Sequence, residues 1–187
     1  VCINVEDEFY EKGIKYLLFG NVLKNHTYPL SVSAERVFQA VAIAEYAKEI
    51  GADAIAHGST GAGNDQVRFD LIFNVLAPEL EIITPIRDMK LSREEEVEFL
   101  KSHGIEKEWT KAKYSINQGL WGTSVGGAET LTSHQTLPEE AWPIQVTETE
   151  EKIIELGFEQ GELTEIEGEK LSQVDAIKKL SEIAAPY

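Results

Sequence analysis

The sequence is poor in cysteine, methionine and positive charge. It holds one cysteine, Cys2, and one methionine, Met89, in 187 residues. A lone cysteine excludes an internal disulfide and a cysteine-rich metal site. Cys2 reads as a small buried apolar side chain. No His/Cys cluster has zinc-ligand spacing, so no resident metal is expected. Lys and Arg number 17 against 33 Asp and Glu, a formal net charge of −16. Such a balance argues against a nucleic-acid partner and against an anionic membrane surface. An anion must then be bound locally, by dipoles and single cations. No run approaches the roughly 18 apolar residues of a membrane span, and no secretory signal is visible. Cytoplasm is the expected compartment.

What is present is a globular composition, 42% hydrophobic and 27% charged, long enough for one good core or two small ones. Val1–Val5 is apolar and β-branched and reads as a buried strand. From Glu6 to Val22, Tyr10, Ile14, Leu17 and Leu18 recur at helical spacing behind an acidic start, with Gly13 as a weak point. Residues 25–31 read as a loop around Pro29 that delivers Tyr28, Ser31 and Ser33. Ser33 is a candidate cap for a helix with Val37, Ala40, Val41, Ala44 and Ala47 on one face. Ala54-Ile55-Ala56 is a short strand, followed by a small-residue loop and a helix from Asn64 to Leu76. Residues 81–85 form another strand. Ser92-Arg93-Glu94-Glu95 is a capping box, and His103-Gly104 ends its helix. Strands alternating with helices predict an α/β fold with a parallel sheet. Beyond Trp109 the helical period fades. A hairpin is predicted over 154–166, turning at Gln160-Gly161, and Ser172 opens a last helix. A domain boundary is expected at 108–114, dividing the chain into 1–110 and 111–187. The acidic runs 94–96 and 148–151 read as solvated faces.

The stretch from His57 to Asp70 gathers the most chemistry. Gly58, Gly61 and Gly63 permit tight turns and close backbone approach. The following helix offers free N–H groups and a positive dipole end. Asn64 and Arg68 are spaced to share a face, with Asp65 beside them. Hydroxyls, an amide, a carboxylate and a guanidinium suit a ligand carrying both amine and carboxylate groups, next to a phosphate. Such sheets bind ligands at the carboxyl ends of their strands, where this loop lies. A glycine-rich strand-to-helix turn without function is the plain alternative.

The string His57-Gly58-Ser59-Thr60-Gly61-Ala62-Gly63-Asn64-Asp65-Gln66-Val67-Arg68-Phe69 resembles the signature of the argininosuccinate synthase family. Three further stretches fall in that family's order: 28–36 (Tyr-Pro-Leu-Ser-Val-Ser-Ala-Glu-Arg), 83–88 with Ser92–Glu96, and 114–124 (Tyr-Ser-Ile-Asn-Gln-Gly-Leu-Trp-Gly-Thr-Ser). The resemblance covers nearly the whole chain. It implies a HUP-like, parallel-sheet adenine-nucleotide-binding domain, followed by the start of an α+β synthetase domain. It implies an ATP-dependent carbon–nitrogen ligase that joins citrulline to aspartate through a citrullyl-adenylate, with Mg²⁺ arriving on ATP. Gly58 would lie against the nucleotide. Thr60, Asn64 and Asp65 would hold aspartate. Tyr28, Ser33, Arg68, Ser115 and Ser124 would hold citrulline, with Asn64 shared. The nucleophiles come from the substrates, so no side chain is assigned a catalytic step. The intact family forms homotetramers, so a homo-oligomer is expected.

Three departures stand out. Ala62 sits where family members often carry Lys. The family's Ser-Gly-Gly-x-Asp-Thr loop, which cradles pyrophosphate, is not among these residues, and Val1–Val5 nearly abuts the helix from Glu6. The carboxyl-terminal synthetase segment and tetramer tail are not present either. The chain begins at Val1 and stops at Tyr187 directly after a helical pattern, so it reads as a piece of a longer protein with an incomplete ATP site. The competing readings are a non-catalytic remnant that binds amino acids or packs on partners, and an ATP pyrophosphatase-type enzyme with another substrate. His57 has two open roles, bonding the loop or touching nucleotide. Tyr114 and Trp121 read as packing residues or a stacking platform. Arg87 and Asp88 read as a structural ion pair.

Overall fold

The computed structural model describes residues 1–61, 63–105 and 114–187. Helix α1 (Glu6–Phe9) runs through a π-helical turn (Tyr10–Ile14) into α2 (Lys15–Phe19). Strands β1 (Leu23–Lys24) and β2 (Tyr28–Pro29) precede α3 (Ser31–Glu49). Then come β3 (Ala54–Ala56), α4 (Asp65–Leu76), β4 (Glu81–Ile83), α5 (Pro85–Met89) and α6 (Arg93–Ser102). Strands β5 (Ser115–Gln118) and β6 (Thr123–Gly126) follow, then two 3₁₀ turns. The chain closes with β7 (Leu156–Glu159), β8 (Glu162–Ile166), β9 (Glu169–Lys170) and α7 (Gln173–Ala184). The expected boundary at 108–114 falls, apart from Tyr114, outside the described residues, and so does Ala62.

The chain divides into two compact units, Arg36–Ala112 and a second made of Val1–Glu35 with Lys113–Tyr187. The first is the α/β unit. Its strands β3 and β4 pair in parallel, Ile55 opposite Ile82, as the alternating pattern requires. Ala40, Ala44 and Ala47 of α3 recur one helical turn apart and bury against Ile55, Phe73 and Ala77. Small residues on α3 leave room for the Phe73 ring, which is fully buried. Gly51 takes a left-handed φ of 67° just past α3, which only glycine adopts without strain. The capping box at α6 is formed as predicted: Ser92 Oγ accepts from the Glu95 N–H, and Glu95 Oε2 accepts from the Ser92 N–H at 2.7 Å.

In the second unit, the first helix and the last part of the chain share one set of contacts. Tyr10 Oη donates to Glu162 Oε1 at 2.9 Å, and Lys178 Nζ pairs with Glu6 at 2.6 Å. Burial, and then the Glu162 carboxylate, push the Tyr10 phenol well up from its ordinary range. The predicted hairpin is present as β7–β8, turning through Gln160 (φ 53°) and Gly161 (φ 89°). Ser172 caps α7, as read from the sequence.

Several expectations are overturned. Val1–Val5 forms no strand and Val1 and Ile3 are exposed; no segment among the described residues pairs with it to build a ladder. Cys2 is exposed rather than buried. The loop around Pro29 contains the short antiparallel ribbon β1–β2. Helix α3 starts at Ser31, so Ser33 lies inside its first turn and its hydroxyl donates back to the Leu30 carbonyl at 2.9 Å. Arg87 pairs with Asp70 and not with Asp88; Asp88 instead accepts from the Thr84 hydroxyl at 2.9 Å.

Candidate functional site

The His57–Asp70 segment forms the strand–loop–helix connection its sequence predicts. The His57 N–H donates to the Ile83 carbonyl at 3.0 Å, carrying the β3–β4 pairing one residue further. The chain then leaves the sheet through Gly58–Gly61 and enters α4, with Asn64 at the N-cap. Asn64 makes no side-chain cap bond, so its amide is not engaged by the helix start. Gly58 and Thr60 are exposed. Asp65 occupies the first turn of α4, where the helix dipole favours a carboxylate.

Asp65 lies between two guanidinium groups. Arg68 Nη1 donates to Asp65 Oδ1 at 2.8 Å, and Arg36 Nε donates to Asp65 Oδ2 at 3.4 Å. All three side chains are partly exposed, between 22% and 39%. A half-open ion triad of this kind can exchange partners with a zwitterionic ligand: an ammonium for the carboxylate, a carboxylate for either guanidinium. Arg36 was not singled out from the sequence as a site residue. Its signal was its place in the 28–36 stretch, three residues beyond Ser33 on the same helix.

His57 takes the loop-bonding role. Its Nδ1 accepts from the Ser59 N–H at 3.3 Å, and its Nε2 meets Asp70 Oδ1 at 3.0 Å. Asp70 Oδ2 accepts from Arg87 Nη1 at 2.5 Å. Burial raises the Asp70 carboxyl, but the bonds from Arg87 and His57 outweigh it and leave the group below the usual carboxylate range. Gln66 Nε2 donates to the Gly61 carbonyl at 2.6 Å, so Asp70, Gln66 and Arg87 belong to the loop's support, which spacing alone does not reveal.

Gly58, Thr60, Asn64, Asp65 and Arg68 all lie on the β3–α4 connection or the first turn of α4, in the 36–112 unit, and among them the structure joins the side chains of Asp65 and Arg68. The other predicted residues belong to the second unit. Tyr28 lies on the β1–β2 ribbon and Ser33 in the first turn of α3. Ser115 and Ser124 lie on opposite strands of the β5–β6 hairpin, Ser124 opposite Asn117 and Ser115 opposite Gly126. The hairpin tip is fastened from behind: Glu35 Oε1 accepts from the Leu120 N–H at 2.6 Å. Trp121 lines an apolar cavity of about 600 Å³ in this unit with Phe19, Phe158 and Leu180. Among the described residues, no group of three or more His, Cys, Asp or Glu side chains is placed to hold a metal ion. No described helix is long and apolar enough to cross a membrane.

The family model for the arginosuccinate synthase N-terminal HUP domain matches residues 1–106. The chain belongs to the argininosuccinate synthase family. The argininosuccinate synthase of Methanocaldococcus jannaschii is 42% identical over 188 residues, covering 99% of this chain and 47% of that protein. The enzyme of Sulfolobus acidocaldarius is 40% identical over 182 residues, covering 97% and 46%. That of Rubrobacter xylanophilus is 38% identical over 190 residues, covering 98% and 46%. The chain spans about half the length of the curated relatives it matches. The parallel β3–β4 pair and its flanking helices lie within the residues that this HUP-domain model matches.

Proposed function

We propose that this chain carries the aspartate site and part of the citrulline site of an argininosuccinate synthase. The observation that carries this reading is the Asp65–Arg68–Arg36 triad at the α4 mouth, directly after an exposed glycine loop. In the reaction so assigned, the ureido oxygen of citrulline attacks the α-phosphorus of ATP and pyrophosphate leaves. The aspartate amine then attacks the ureido carbon of the citrullyl-adenylate and AMP leaves. Asp65 receives the substrate ammonium, Thr60 and Asn64 hold the aspartate carboxylates, and Gly58 lets the nucleotide approach the backbone. Arg68 forks onto the citrulline carboxylate, and Tyr28, Ser33, Ser115 and Ser124 complete the citrulline contacts. Mg²⁺ accompanies the phosphates of ATP. The protein's work is positioning and charge stabilisation, because both nucleophiles belong to substrates. In this reading residues 1–110 are nucleotide-binding and 111–187 begin the synthetase domain; the setting is cytoplasmic and the assembly a homotetramer.

The test is citrulline-dependent release of pyrophosphate from ATP by a protein in which this chain is joined to the family's Ser-Gly-Gly-x-Asp-Thr loop and carboxyl-terminal segment. Release that requires citrulline, followed by argininosuccinate when aspartate is added, is the expected outcome. Pyrophosphate release indifferent to citrulline overturns the reading. Replacing Arg68 with Ala should weaken citrulline by about 10- to 100-fold, the loss of one charge-assisted contact. ATP should be far less affected, and equal losses of both would remove Arg68 from the citrulline site.

A further inference from the structure

The glycine loop is tied at two backbone points by one continuous chain of side chains. At its start, the Ser59 N–H donates to His57 Nδ1 at 3.3 Å. That bond requires a lone pair on Nδ1, so the ring proton sits on Nε2 and points at Asp70 Oδ1, 3.0 Å away. The other Asp70 oxygen accepts from Arg87 Nη1 at 2.5 Å. The same Arg87 nitrogen donates to Gln66 Oε1 at 3.2 Å. Gln66 Nε2 then donates to the Gly61 carbonyl at 2.6 Å. The chain therefore runs Ser59, His57, Asp70, Arg87, Gln66, Gly61, and closes round Thr60. Its members come from the end of β3, from α4 and from α5.

The surroundings make this chain stiff. The His57 ring is 8% exposed and packs at 5.5 Å from Phe69 and 6.1 Å from the buried Phe73. Phe69 and Phe73 stack on each other at 5.8 Å. A methyl group built on Gly61 would meet the Arg87 stem at 3.7 Å, so α5 also backs the loop by contact. A loop anchored at an N–H before Thr60 and a carbonyl after it has little freedom left for Thr60 itself.

We infer that His57, Gln66, Asp70 and Arg87 are positioning residues that hold Ser59–Gly61 in the shape in which Thr60 meets a carboxylate-bearing ligand. Arg87 is the branch point, because one of its nitrogens serves both Asp70 and Gln66. The ligand part of this inference rests on the aspartate reading proposed above. The shape part does not.

The experiment uses the ¹⁵N-labelled protein and its Asp70→Asn, Arg87→Lys and Gln66→Ala variants, with two readouts. The first is the His57 ring tautomer from its nitrogen shifts, together with amide exchange at Ser59. The wild type should show the Nε2–H tautomer and a protected Ser59 amide. Asp70→Asn should mix the tautomers and speed Ser59 exchange by about tenfold, the loss of one hydrogen bond. Arg87→Lys should fall between the two, since Lys restores a charge but not the double donation. An unchanged tautomer and unchanged Ser59 exchange in Asp70→Asn overturn the inference. If that variant does not fold, Gln66→Ala decides it. This variant removes the Gly61 tie and the bond from Arg87 but leaves the Arg87–Asp70 and His57–Asp70 contacts. The 59–61 amide shifts should therefore move, and unmoved shifts overturn the inference.

The second readout is the half-saturating concentration of L-aspartate and of citrulline, with Mg-ATP present. Misplacing Thr60 should raise the aspartate value about tenfold or more and leave the citrulline value nearly unchanged, since placement errors cost most at the group displaced. Equal weakening of both substrates overturns the positioning role. A wild-type protein whose loop amides ignore aspartate overturns the aspartate reading alone, because the tautomer and exchange results stand independently of it.

Discussion

Gly119 shows how a single missing side chain sets the hairpin that carries Ser115 and Ser124. A methyl group at that position would lie 2.4 Å from a Glu35 carboxylate oxygen. The φ of Gly119 is not in the left-handed region, so the requirement is space and not backbone strain. The Glu35 carboxylate accepts the Leu120 N–H at 2.6 Å, and a Cβ would swing it away. Gly119→Ala should therefore destabilise the protein by about 1–2 kcal/mol, the cost of one charge-assisted bond with a flexible partner. Glu35→Ala should cost a similar amount, and the double variant should cost no more than either alone, because both remove the same bond. Urea unfolding midpoints measure this; additive losses would show that Gly119 serves something other than Glu35. At this scale the sequence was informative where chemistry is local. The polar set Asn64, Asp65 and Arg68 follows from helical spacing, and the structure does join Asp65 to Arg68. It was silent where the partner is distant in the chain. Arg36 reaches Asp65 across 29 positions and Arg87 reaches Asp70 across 17, so adjacency favoured the wrong pair, Arg87 with Asp88.

At the scale of elements, termini announced themselves better than strands. The Ser92–Glu95 capping box is a four-residue pattern whose two bonds are both local, so sequence suffices to find it. Its pH dependence follows from one group. The Ser92 backbone N–H, and then the Ser92 side chain, hold the Glu95 carboxyl below its ordinary value. A lowered folded value means stabilisation that is present above the unfolded value and lost as pH falls through the folded one. Glu95→Gln should therefore narrow the stability gap to wild type as pH falls from about 7 to about 3, with the loss centred in the carboxylate range. Chemical denaturation at a series of pH values checks this, and a constant gap would remove the ionised carboxylate from the cap. Strands are the contrast. Val1–Val5 has strand composition and no strand, whereas Ala54–Ala56 has modest composition and pairs with β4. A β ladder is a property of two segments, and a single segment's residues say only that it would fit one. The π-helical turn at Tyr10–Ile14 was likewise not read, beyond the weakness noted at Gly13, because it depends on how Tyr10 and Ile14 are buried.

For the whole molecule the governing quantity is charge. The net charge of −16 surrounds a site whose proposed ligands, ATP and aspartate, are anions. The long-range field opposes their approach, while the short-range field at the α4 mouth, from Arg36, Arg68 and the helix dipole, favours their capture. The two act over different distances and so respond differently to salt. At an ionic strength of about 0.02 M the Debye length is roughly 20 Å and the whole acidic surface is felt; at about 0.15 M it is about 8 Å and most of that repulsion is screened. Contacts of 3 to 4 Å in a partly buried triad are screened much less over the same interval. The association rate of aspartate or ATP should therefore rise between about 0.02 and 0.15 M salt, by a factor of about 2 to 10. Towards 1 M, where the Debye length is about 3 Å, affinity should fall as the local ion pairs weaken. Stopped-flow binding at several salt concentrations traces both limbs. A rate that falls steadily from the lowest salt would mean that the local cations dominate the approach as well as the capture, and that the acidic surface faces away from the ligand's path.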